Sequence, residues 1–114
     1  MSMRYIRPLS SVTLSPGVAI DLASALDLGD SAELQIVLTV TQAGDGDTPV
    51  LVVKHAAVNE ASAYFDFDTP VKISLSSPGT AWFKVDSFTR WICWFVSGSL
   101  NSGAVATIDI IAKN

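Results

Sequence analysis

Residues 32–42 read "AELQIVLTVTQ". Leu34, Ile36, Leu38 and Val40 alternate with Gln35, Val37, Thr39 and Thr41. In a β-strand successive side chains point to opposite faces, so this spacing makes one apolar row and one mixed row on a long strand. The following "AGDGDTP" (43–49) carries the Gly, Asp and Pro punctuation of a turn, and "VLVVKHA" (50–56) reads as an antiparallel return.

Similar signals recur along the chain. "VKISLSS" (71–77) alternates Val71, Ile73 and Leu75 with polar residues, and "PGT" separates it from "AWFKV" (81–85). "AVATIDIIAK" (104–113) sets Ala106, Ile108 and Ile110 against Thr107, Asp109 and Ile111. At the start, "SSVTL" and "GVAIDL" flank "SPG" as a short hairpin, and only "LASALDLG" (22–29) offers a helical turn. Seven or eight short strands with intervening turns predict an all-β fold, an antiparallel β-sandwich or jelly roll. Residues 1–114 form one domain, with 1–16 as an N-terminal arm that contains Tyr5.

"RWICWFVSG" (90–98) breaks the one-sided pattern. Trp91, Cys93 and Phe95 point one way, Ile92, Trp94 and Val96 the other, and both faces are apolar. One face belongs to the core, and the other needs a cover. The candidates are the chain's own "AAVNEASAYFDFDTP" (56–70), a ligand, or another protein. Only 16% of the 114 residues are charged against 49% hydrophobic, a balance that favours a surface buried by a protein partner. The contact residues expected on this reasoning are Trp91, Trp94, Phe95 and Trp82, with Tyr5 from the arm.

Catalytic and ligand-binding patterns are weak. His55 stands alone as a partly exposed strand histidine, without a Cys or His cluster at zinc spacing. Cys93, the single cysteine, reads as a small buried hydrophobe whose thiolate is suppressed. Asp45 with Asp47 and Asp66 with Asp68 are too few oxygen ligands for calcium and suit turns. The glycine loops "AGDGD" (43–47) and "SGSLNSG" (97–103) have neither the lysine nor the helix of a phosphate-binding loop and read as turns. No enzyme activity, cofactor or metal is expected. A formal net charge of −4 opposes direct binding to nucleic acid, and no run reaches the roughly 18–20 apolar residues of a membrane span.

A resemblance adds to this reading. Thr39 and Thr41 end a long strand, Gly46 and Pro49 form a G-x-x-P turn, and Leu51 and Val53 follow in the return strand. Later Arg90, Trp91, Ile92, Trp94 and Val96 make an Arg-aromatic-hydrophobic strand that ends in Ser97-Gly98. From Gly17 onwards this order resembles the small all-β virion proteins of tailed bacteriophages and phage-like particles, although the segment between His55 and Asp68 departs from that group's pattern. The resemblance implies a non-enzymatic virion protein assembled in the host bacterial cytoplasm. It would decorate the capsid or form the base of a head spike or fibre, with tail or connector placement as the second option. Its partners would be further copies of itself and the major capsid protein. A carbohydrate-binding β-sandwich module is the alternative from another class.

Overall fold

The computed structural model describes residues 3–14, 25–29, 31–100 and 103–113. Eight strands appear in chain order: β1 (Met3–Thr13), β2 (Leu26–Asp27), β3 (Glu33–Gln42), β4 (Gly46–Ala56), β5 (Val71–Ser74), β6 (Gly79–Val85), β7 (Trp91–Leu100) and β8 (Val105–Lys113). A 3-10 turn at Ala61–Ala63 is the one helical element among the described residues.

The strands form two four-stranded sheets. Sheet A has the order β1-β8-β3-β6 and sheet B the order β2-β7-β4-β5. Every pairing is antiparallel: β1 with β8, β2 with β7, β3 with β6 and β4 with β5. These are the pairs of one long hairpin folded over on itself. The pairings β3–β8 and β4–β7 then join its halves into sheets, which makes the protein a jelly-roll β-sandwich.

The alternation in β3 and β8 sets the core. Leu34, Ile36, Leu38 and Val40 of β3 pack with Ala106, Ile108, Ile110 and Ala112 of β8, all almost fully buried. Leu51 and Val53 of β4, Val71 of β5, and Ile92 and Trp94 of β7 face them from sheet B. Burial of these side chains stabilises the fold by roughly 1.5–3 kcal/mol for each large aliphatic group.

Several local expectations are corrected. Residues 3–13 are the edge strand of sheet A, paired with β8 from Met3↔Lys113 onwards, and not a separate arm. "SSVT" therefore pairs with the far end of the chain; its hairpin partner "GVAIDL" lies outside the described residues. In "LASALDLG", Leu26 and Asp27 form a short strand because they pair with Ile92 and Trp91.

The segments "AGDGDTP" and "SGSLNSG" are not simply turns. β4 begins at Gly46, and β7 runs on to Leu100. The two meet at a bulge between the pairs Asp47↔Ser99 and Val50↔Ser97. Thr48 and Pro49 stand there against the single residue Gly98, with φ +47° at Thr48 and +77° at Gly98. A Cβ on Gly98 would lie 2.3 Å from the Thr48 carbonyl oxygen. Pro49, without an N–H, is tolerated in a central strand because the bulge interrupts the ladder. The G-x-x-P and Ser-Gly motifs are thus the two sides of one irregularity.

Candidate interaction surface

The five aromatic residues singled out in the sequence occupy three different places. Trp94 lies between the sheets, 8% exposed and packed with Ile92, so it is a core residue and not a surface contact. Trp91 and Phe95 lie on the outer side of sheet B, half-buried. Trp82 and Tyr5 share the outer side of sheet A, each 59% exposed.

The chain itself covers part of sheet B. Tyr64 packs on Cys93 and Ala56, with Trp91, Ala25 and Ala63 around them, and leaves Cys93 2% exposed. The Tyr64 hydroxyl donates to Asn59 Oδ1 at 2.8 Å, and burial, with a smaller contribution from Cys93, pushes its phenol up to about 12. Residues 57–70 therefore cover Cys93 and part of Trp91, which stays half-buried. Phe95 lies beyond it, with Lys54 Nζ 4.7 Å from its ring centroid, beside an open depression of about 220 Å³ lined also by Val52, Pro70 and Lys72.

His55 clamps this cover. It exchanges backbone hydrogen bonds with Phe65 (N to O, 3.1 and 3.0 Å), and its ring lies between those of Phe65 and Phe67, at centroid distances of 4.2 and 4.7 Å. The Thr89 N–H donates to Nδ1 at 3.1 Å, and the Thr89 hydroxyl lies 3.1 Å from the same atom. At 6% exposure His55 is buried, not partly exposed as the sequence suggested. Burial lowers its pKa from the usual value, against the opposing influence of the Asp66 backbone and Asp68. The alternation of Phe65 and Phe67 was the signal that this segment would add to a sheet edge.

Arg90, from the Arg-aromatic pattern, has a structural role. Its Nε and Nη2 donate to Asp27 Oδ1 and Oδ2 at 3.0 and 2.8 Å, while the Gly29 N–H donates to Oδ1 at 3.2 Å. Hydrogen bonding to Arg90 lowers the Asp27 pKa. This fork holds the two-residue β2 against β7.

Sheet A presents an outer face that the described residues leave mostly open, although Thr107 on it is buried. Its rows run across the strands as Tyr5, Ile111, Gln35 and Lys84, then Asp109, Val37 and Trp82, then Thr107, Thr39 and Thr80. Tyr5 donates its hydroxyl to Asp109, and Arg7 Nε donates to the same oxygen at 2.7 Å. The hydrogen bond to Asp109 raises the pKa of both Tyr5 and Arg7. Glu33 lies 3.8 Å from both Lys84 and Lys113. The charges at this end are paired with one another. Toward Trp82 the face is aromatic, aliphatic and threonine-rich, and it offers flat contact area rather than a reaction centre. Among the described residues, no group of three or more His, Cys, Asp or Glu side chains is placed to hold a metal ion.

No protein-family model matches this sequence, and no curated protein matches it. Among solved structures it is similar to the SPBc2 prophage-derived protein YomS, with a TM-score of 0.53 and 11% identity over 99% of this chain and 96% of that one. It is also similar to the K1 cleaved adhesin domain of Lys-gingipain from Porphyromonas gingivalis W83. There the TM-score is 0.52 and the identity 13%, over 78% of this chain and 59% of that one. At these identities the similarity establishes the all-β sandwich fold.

Proposed function

We propose that this protein is a non-enzymatic structural component of a phage or phage-like particle that binds the outer capsid shell, as a decoration or at the base of a head spike or fibre. The observation that carries the proposal is the outer face of sheet A, left mostly open by the described residues, where Trp82 stands beside Val37 and Tyr5 beside Ile111, each aromatic 59% exposed. Exposed aromatics on a face with few unpaired charges are what a protein contact uses as anchors. The sequence resemblance to virion proteins supports the same reading, as does the fold shared end to end with a prophage-derived protein. Tail or connector placement uses the same surface and ranks second.

The mechanism is burial of area. A contact of ordinary size buries roughly 800 Å² on each partner, and many copies on a shell add cohesion without covalent chemistry. The partner is the major capsid protein, whose exposed surface meets this face. Nucleic acid is not a direct partner, because a net charge of −4 opposes a phosphate backbone.

Co-sedimentation tests the proposal with particles of the phage or prophage that encodes the chain, grown with its gene deleted. The purified chain should pellet with them, and Trp82→Ala should weaken binding by about 2 kcal/mol or more if Trp82 is a hot spot. Failure of the native chain to bind would overturn the proposal. Exposed Trp82 on a sheet would also stack on a sugar, so Trp fluorescence that responds to a glycan in a chain that ignores particles would establish the carbohydrate-binding alternative.

A further inference from the structure

The four edge strands of the two sheets are not equally protected. β1 carries Pro8 and two register shifts along its pairing with β8. β2 is two residues long, and β5 is four, between Pro70 and Pro78. β6 differs from all three. It pairs with β3 through seven consecutive residues, Gly79 to Val85, without a bulge, and among the described residues no strand lies on its other side. It contains no proline and one charge, Lys84, and Trp82 stands exposed at its middle. A flat, regular edge of this kind is a template for another strand, and natural sheets normally blunt it.

We infer that β6 pairs antiparallel with β6 of a second copy of this chain, joining two A sheets into one eight-stranded sheet. The strand is self-complementary in the register centred on Trp82. Trp82 then faces Trp82 of the second copy, Thr80 faces Lys84, Ala81 faces Phe83 and Gly79 faces Val85. Each residue meets one that points to the same side, so the inner and outer rows continue across the junction. Lys84, the only charge, faces a threonine and not another lysine.

The crowded end of the strand is matched as well. Residues 67–69 approach Lys84 and Val85 across an open depression of about 100 Å³. In this register the residue that enters beside Val85 is Gly79, which has no side chain. The paired sheet would double the face assigned above to particle binding, with two tryptophans at its centre. The inference builds on that surface but is tested apart from it.

Sedimentation velocity on the purified full chain at micromolar concentration should show a dimer. Thr80→Glu would place a carboxylate opposite Lys84 twice across the two-fold, and Thr80→Lys would place like charges there. Within one strand the two positions are about 13 Å apart, so both variants leave the monomer undisturbed. Thr80→Glu should tighten dimerisation and Thr80→Lys weaken it, each roughly 2- to 30-fold for two cross-strand pairs. A monomer throughout overturns the inference. So does a dimer that responds equally to both variants, which would use another face. Protection of β6 amides from hydrogen exchange only after particles are added also overturns it, because the strand would then pair with a shell protein. A monomer that still co-sediments refutes the edge pairing alone, and a dimer that ignores particles refutes the particle-binding role alone.

Discussion

At the residue scale, chemistry and conformation act at single positions. His55 accepts the Thr89 N–H on Nδ1, so its neutral form is the one the fold holds. Its folded pKa lies below the unfolded value of 6.5, and the unfolded chain therefore binds the proton first. The contribution to stability is fully present above pH 6.5 and is lost as pH falls from there through the lowered folded value. Thermal unfolding of the native chain across this window should show the decline, and His55→Gln should flatten it.

Gly98→Ala should cost more than about 1 kcal/mol, because both the positive φ and the Thr48 carbonyl exclude a Cβ. Denaturant titration reads this directly. The same measurement separates the tryptophans. Trp94→Ala should lose about 3–5 kcal/mol as a core truncation, whereas Trp82→Ala should stay within about 0.5 kcal/mol. The Trp94 Nε1 is buried without a hydrogen-bond partner among the described residues, so Trp94→Phe should be much milder than Trp94→Ala.

At the element scale, alternation made β3 and β8 legible, because each has one clearly apolar row. β7 shows where such reading stops. Both of its rows are apolar, and parity states which residues share a side but not which side faces the core. That choice depends on residues 57–70, whose Tyr64 lies over Cys93, a contact between segments distant in sequence. The β4–β7 bulge was unreadable for a related reason: Gly, Asp and Pro mark a turn locally, but here the paired strand opposite turns them into a bulge. Tyr64→Ala should uncover Cys93 while the sheets remain paired. A thiol reagent should label the native chain slowly and the variant faster, and equal rates would mean that Tyr64 is not the cover.

At the scale of the whole molecule, the folded-over hairpin explains why the first and last strands lie together in sheet A. A pairing such as Met3↔Lys113 joins the two ends of the chain, a topology of long-range contacts that the alternation of any one strand does not disclose. The same arrangement gives the sheets unlike outer faces. Sheet B is partly roofed by its own chain, and sheet A is left mostly open by the described residues, with Trp82 and Tyr5 displayed. The central claim is that the open face is the one that meets a particle.

Hydroxyl-radical footprinting of the chain, free and bound to particles from the gene-deleted phage, tests this claim most directly. Binding should protect Trp82 and Tyr5 and leave Phe95 on the outer side of sheet B as reactive as before. Protection of Phe95 with Trp82 and Tyr5 unchanged would place the contact on the opposite sheet and contradict the account.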